Sequence, residues 1–442
     1  MKLKLLLCTA TPFIVGTALS QTSPSQDSAI VHGTLQECVR YALRHQPLVQ
    51  QSLLDEEITN REIWVRLSDW LPQVNLNANA QHYFKLPTSI FQGNPVAVGS
   101  ANTSTAAFSL TQTLFDRDVL LASSTASEIR EASRTRTSGT KIDVVVNVSK
   151  AFYATLLTEE QIKILNDDIL RLQQSSKDAY NQYRSGIVDN TDYKRATISL
   201  NNALVQRRQA EELLNARFAS LKQQMGYPPA AKLPIEYDTT VMEREAVIDT
   251  TQTIHLENRV EYQQLRLQRE LQESNLSYSR WAFLPSVSAF GNYSFNYLSS
   301  SDKLSQVYVH NYPSSLVGLQ LSWALFQGGK RIAAIQQAQY ELERADYDIR
   351  SFEDAANTEY VQAMGSYKGN LTNYQFARDN LDLARAVYQT IQLQYRAGVK
   401  TYLEVLTAET DLRTAELNET DAIYELLSSK LDVQRALGTI QY

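Results

Sequence analysis

The chain has 442 residues, a formal net charge of −6 and 24 tyrosines. That length allows two or three ordinary domains, and its acidic and basic residues are interspersed, so nothing points to nucleic acid as a partner. Five scattered histidines form no His-x-x-x-His pair, and there is no Gly-x-Ser-x-Gly elbow, phosphate-binding glycine loop or Cys-x-x-Cys. The composition therefore excludes the common catalytic and metal constellations, and the expectation is no enzyme, no cofactor and no metal.

Residues 1–20 read as a secretory signal: Lys2 and Lys4, an apolar run from Leu5 to Val15, then Ala18-Leu19-Ser20 as the cleavage site. The run is too short to span a bilayer, and no later apolar stretch reaches about 18 residues. Cys8 lies inside the signal, which leaves Cys38 alone in the mature chain, without an intramolecular disulfide and expected as a small buried side chain. Residues 21–46 comprise a Ser-, Gln- and Pro-rich flexible start and a short helix opened by the capping box Thr34-Leu35-Gln36-Glu37.

A second helix runs from about Leu48 to Trp70 and stops at Leu71-Pro72. From about 73 to 84 the chain then alternates, with Val74, Leu76, Ala78 and Ala80 on one face and Asn75, Asn77, Asn79 and Gln81 on the other. Ten alternating residues are the length of a strand crossing a bilayer at a tilt. Residues 85–103 read as a loop, and a second strand follows near 105–114. From about Val119 the composition is helical and free of proline as far as Tyr183, which makes a helix of roughly 90 Å. It ends at the Tyr183-Arg184-Ser185-Gly186 turn, and a returning helix occupies about 190–226.

The same plan then returns. After a proline-bearing segment at 227–256, a second unit at 257–442 carries strands at about 286–297 and 315–325, with a loop at 299–313 and a helical hairpin at about 330–438. Tyr395-Arg396-Ala397-Gly398 repeats the first turn 212 residues later, and Leu284-Pro285 repeats Leu71-Pro72. Ala196, Ala203 and Ala210 on one returning helix match Ala408, Ala415 and Ala422 on the other, a seven-residue coiled-coil spacing that lets helices approach closely. The sequence thus predicts one large unit, at 47–226 and again at 257–442, built of long helices and short strands.

Four strands cannot close a membrane barrel, because an open edge in lipid leaves backbone groups unpaired. Two copies would give eight strands filled by side chains; three would give twelve and room for a lumen. Both hairpins carry their helices at the same end, so all helices project to one side of the membrane, the periplasm for an exported bacterial-type protein. A soluble periplasmic coiled-coil adaptor or scaffold, or a passive nutrient porin, are the competing readings.

The ordered set of motifs resembles the TolC-like outer-membrane efflux and secretion channel family over nearly all of the mature chain. It comprises Thr34 to Leu43 with Pro47, the two Leu-Pro pairs, Asn258-Arg259-Val260-Glu261-Tyr262 (Pro is commoner where Val260 stands), Leu325-Phe326-Gln327-Gly328-Gly329 and the two Tyr-Arg-x-Gly turns. The resemblance implies a mixed α and β membrane protein, a homotrimer whose 12-stranded β-barrel sits in outer-membrane lipid on a periplasmic α-helical barrel. The segment 227–256 would join an equatorial belt. It also implies a passive exit duct working with a periplasmic adaptor and an inner-membrane efflux or secretion transporter. By the same likeness Gly186, Ile187, Val188, Gly398, Val399 and Lys400 meet the adaptor, and Thr191, Asp192, Tyr395, Lys400 and Glu404 govern the periplasmic entrance. A Lys400–Asp192 or Tyr395–Asp192 contact and a ring of Glu404 carboxylates are expected there, and the second acid that some relatives carry is replaced by Thr407.

Overall fold

The structure is a computed structural model that describes Ile30 and residues 32–186, 189–237, 239–300 and 308–442. The signal and its cleavage site at Ser20 lie outside the described residues. Helices α1 (Leu35–His45) and α2 (Pro47–Ser68) precede strands β1 (Gln73–His82), β2 (Thr88–Phe91), β3 (Asn94–Ala97) and β4 (Asn102–Phe115). Two long helices follow, α3 (Arg117–Arg184) and α4 (Asn190–Met225), then a short one, α5 (Thr239–Ala246). Helix α6 (Val260–Trp281), strands β5 (Ser286–Ser299) and β6 (Ser314–Ser322), and helices α7 (Lys330–Arg396) and α8 (Tyr402–Leu437) complete the chain. No helix is long and apolar enough to cross a membrane among the described residues.

The strands form one antiparallel sheet in the order β1-β4-β5-β6, so the two expected hairpins are joined through β4 and β5. Register sets one face apolar across all four strands: Val74 opposes Leu110, Leu110 opposes Gly291, and Gly291 opposes Val317. Val317, Leu319 and Leu321 on that face are 90 %, 73 % and 63 % exposed. On the other face the ring of Phe290 lies over Gly318, where an added Cβ would stand 2.7 Å from it. The central strands β4 and β5 run to 14 residues each, longer than the alternation alone indicates, because they pair with each other beyond the ends of β1 and β6. Residues 85–103 differ from a plain loop: β2 and β3 pair as a small hairpin whose turn, Gln92-Gly93, has φ of +48° and +81°. Pro95 obscures it in the sequence and is tolerated in a two-stranded ribbon with free edges.

Helices α3 and α7, of 68 and 67 residues, are each about 100 Å long. Each packs along its returning partner, α4 or α8, and α3 also packs on α8. The alanine seam has the predicted role on α4, where Ala196 and Ala203 are fully buried; on α8, Ala408 and Ala422 are buried but Ala415 is only partly so. Both returning helices end on a left-handed glycine wedged against another helix start. A Cβ on Gly226 would lie 2.7 Å from the His45 carbonyl oxygen, and one on Gly438 2.6 Å from that of Asn258.

The largest apolar cluster sits where α1, α3, α7 and α8 meet the 227–248 segment, with Phe152, Leu221, Met225, Tyr367 and Leu427 at its centre. Cys38 is fully buried within it, and burial pushes its thiol up to about 12. Arg259, only 3 % exposed, pairs with Glu261 at 3.1 Å and Glu359 at 3.0 Å and donates to the Ala436 carbonyl at 3.2 Å, tying α6 to α7 and α8.

The Tyr367 hydroxyl fastens the inter-repeat segment to α7: it donates to the Ala246 carbonyl and accepts from the Ile248 amide, both at 3.0 Å. Tyr367→Phe leaves a buried carbonyl and a half-buried amide unpaired, so it should cost about 1–3 kcal/mol. The check is thermal unfolding together with amide hydrogen exchange, which should accelerate at Ile248 first.

Candidate functional site at the hairpin turns

Two helix–turn–helix junctions face each other at the end of the molecule remote from the sheet. In the first, Ser185 caps α3, Gly186 takes φ +73°, and Asp189 opens α4 by accepting from the Thr191 amide. That bond, with the Thr191 side chain, holds the Asp189 carboxyl below its ordinary value. Ile187 and Val188 lie outside the described residues. In the second, Ala397 caps α7, Gly398 takes φ +74° and Val399 is 72 % exposed. Nothing lies within 4 Å of a Cβ built on either glycine, so both are required for their backbone angle and not for space.

Glu404 is bound into its own turn. It accepts from the Thr401 amide at 2.9 Å and hydroxyl at 3.0 Å, closing a capping box, and from Lys400 Nζ at 2.6 Å. The Lys400 ammonium and these donors hold its carboxyl down at about 2, so it is charged at any physiological pH. Within one chain Lys400 pairs with Glu404, because a lysine four residues before a first-turn glutamate reaches it on the same helix end. Within the same chain Tyr395 donates to Gln182 Oε1 at 2.9 Å, binding α7 to α3. Asp192 is still near enough to raise the phenols of Tyr395 and Tyr402, although burial is the larger cause in both. Behind the turns, Ala179, Ala196 and Tyr402 form a small buried cluster with Tyr193 and Tyr395, so the two junctions are packed together as one body.

About two turns of helix further in lies a group that the motif reading missed. Glu409 on α8 and Asp168 on α3 are 2 % and 1 % exposed. Arg171 contacts Asp168 at 3.4 Å and Glu416 at 3.3 Å, and Arg413 contacts Asp168 at 3.2 Å. Both arginines are thus engaged elsewhere, and neither Glu409 oxygen has a hydrogen bond; its nearest cation is Arg171 Nε at 4.0 Å. Burial, and then the Asp168 charge, push the Glu409 carboxyl up to about 7. The signal was present in the spacing: Glu409 stands four residues after Val405 and three before Leu412, on the apolar seam of its helix.

Residues 39–227 and 254–439 match the outer membrane efflux protein family. The chain belongs to that family. It is 23 % identical to outer membrane protein TolC of Salmonella enteritidis over 97 % of this chain and 86 % of that protein. It is also 23 % identical to the alkaline protease secretion protein AprF of Pseudomonas aeruginosa, over 65 % of this chain and 60 % of that one. Its fold superposes on the crystal structure of the outer membrane protein VceC from Vibrio cholerae with a TM-score of 0.73 at 15 % identity, covering 91 % and 96 % of the two chains. Family membership makes the chain an outer-membrane exit duct of the efflux and secretion kind, with a long periplasmic extension, and decides against the soluble adaptor. The family is one of passive channels and not of enzymes. Among the described residues no cluster of His, Cys, Asp and Glu could hold a metal ion.

Glu409 makes stability depend on pH in a defined direction. Its folded-state value of about 7 exceeds the 4.5 of a free glutamate, so between these limits the folded state binds the extra proton. Stability should accordingly rise as pH falls from about 7 towards 4.5 and stay low above 7. The charges facing Glu409 are Asp168 and Arg171 on α3, Arg413 and Glu416 on α8, and the phenols of Tyr388 and Tyr402. Glu409→Gln should remove this component and stabilise the protein at pH 8 by on the order of 3 kcal/mol. The check is the pH dependence of the unfolding midpoint of parent and variant in detergent.

Proposed function

We propose that the chain is a duplicated unit acting as a homotrimer, in which three four-stranded sheets close a twelve-stranded barrel in outer-membrane lipid above a twelve-helix periplasmic barrel. One observation carries this reading: β1 and β6 are open edges of a sheet whose apolar face is bare. In lipid such edges must pair, and pairing with further copies of itself is the arrangement that closes the ring. The two halves support the duplication. Helices α2 and α6 have 22 residues each and α4 and α8 have 36 each, and both C-terminal glycines make the same kind of wedge.

The duct would be passive. An inner-membrane transporter supplies energy, and a periplasmic adaptor docks at Gly186, Ile187, Val188, Gly398, Val399 and Lys400. The likeness to TolC and to a protein named for protease secretion supports either an efflux pump or a type I secretion system. Residues 227–256 would form part of the belt around the helical barrel. Thr191, Asp192, Tyr395, Lys400 and Glu404 would govern the periplasmic entrance, six near-equivalent turns around one axis. Tyr395–Gln182 and Lys400–Glu404 are the bonds within one chain that keep each turn in shape. Exposed ion pairs are worth only about 0–1 kcal/mol singly, so a closed state would rest on their repetition and on the tyrosine packing behind them.

Two measurements test this. The detergent-solubilised protein should have the mass of three mature chains, and a monomer or dimer would refute the barrel. In planar bilayers, Lys400→Ala combined with Asp192→Ala should raise single-channel conductance, and Glu404→Ala should weaken cation selectivity. Wild-type values for both variants would remove these residues from the entrance.

A further inference from the structure

Beyond the end of β1 and β4 remote from the helices stands the β2–β3 ribbon, and every residue of its two strands is exposed. Phe84 at its root is 97 % exposed, Ile90 79 % and Phe91 69 %, and Val96 and Val98 are exposed beside them. No Asp, Glu, Lys or Arg occurs between Lys85 and Asp116. Water-facing connections are ordinarily polar, so an apolar, uncharged ribbon marks a contact surface.

Among the described residues β2 and β3 pair only with each other, which leaves both outer edges open. The register puts Ile90 beside Pro95 on one face and Phe91 with Val96 on the other. Two apolar faces and two open edges call for a neighbour on each side. Hydrocarbon does not supply this, because the edges would stay unpaired there. A threefold ring does, since each ribbon then has one identical neighbour on either hand. The ribbon also leaves directly from β1, whose open edge is the seam at which a further copy joins the barrel. Its length suffices. Twelve strands about 4.8 Å apart and tilted by about 40° close a ring of about 12 Å radius. From the end of β1 to the Gln92-Gly93 turn the chain covers up to roughly 20 Å, enough to reach the axis. The root has a joint: the ladder breaks after the Tyr83–Ala101 bond, Gly99 takes φ +106°, and pairing resumes at the Val98–Pro87 bond.

We propose that the β2–β3 ribbons of three copies meet over the outer mouth of the barrel and form an apolar seal, with Ile90, Phe91 and Val96 of each copy against the next. An uncharged apolar constriction holds back water and ions without an ion pair to break. It gives the duct a second barrier at the end opposite the hairpin turns. The seal rests on the homotrimer proposed above, so the mass of the assembly is measured on the same samples.

The test places one thiol on the ribbon, Phe91→Cys, in the full chain, where Cys38 is fully buried and does not compete. In detergent a short, reducible bismaleimide should join chains in pairs. The yield should approach about two thirds of the chains, because one thiol of three is left over, and should not depend on protein concentration. In planar bilayers the joined channel should conduct about half as much as after reduction, or less. Unjoined chains in a sample of trimer mass overturn the seal and leave the duct, whereas loss of the trimer mass overturns both. Equal conductance before and after reduction also overturns the seal. A bimane on the same thiol, in vesicles, detects a ribbon lying in lipid: strong quenching by brominated phosphatidylcholine would place it against acyl chains and refute the contact between copies. If Phe91→Cys does not assemble, Val96→Cys on the same face makes the same measurements.

Discussion

Backbone amides in hydrocarbon must all be hydrogen-bonded, and this constraint organises the rest of the molecule. The sheet gives its inner strands β4 and β5 two neighbours each and leaves β1 and β6 with one. Everything on the other side of the structure serves to bring those four strands together. β4 and β5 pair from Asn102–Ser299 to Phe115–Val287, with one irregularity at Leu114, although α3, α4 and the inter-repeat segment lie between them in the chain. The return of the chain to the same sheet is enforced by the helical body, through the α3–α8 contact and the clamp of Arg259 on Glu359 and Ala436.

The helical body is long and thin, so it cannot rely on one core. Its largest apolar cluster lies at the level of the inter-repeat segment, and towards the turns only small clusters and alanine seams continue the packing. In that thinner region polar groups take over part of the contact between α3 and α8. Asp168 and Glu409 are therefore unusual in being buried where apolar packing is sparse, with Arg171, Arg413 and Glu416 at their edge. A buried charge that lacks a partner is costly, and a proton on Glu409 is the cheapest relief available to the folded state.

Much of this was legible beforehand, for a physical reason in each case. Period-two alternation marks the strands because one face meets a different solvent from the other. A proline-free stretch of helix formers ending at Tyr-Arg-x-Gly marks the long helices, because only glycine takes the left-handed angle at low cost. The residues proposed for the entrance come from motif order, which does not give their partners within the chain. Thr401-x-x-Glu404 has the capping-box spacing noted at Thr34, and within one chain Lys400 turns to that glutamate. Glu409 was passed over because a lone acid inside a heptad looks like any surface glutamate until its neighbours are known.

The sequence by itself determined the long helices, the four strands of the main sheet, their order and the doubling of the motifs, since these follow from local sterics and from the spacing of apolar residues. Only the tertiary structure decided that β4 joins β5, that Lys400 turns to Glu404, and that Glu409 is shielded from water. Those outcomes depend on which helix faces lie within a few ångströms of each other, and a linear pattern carries no such distances.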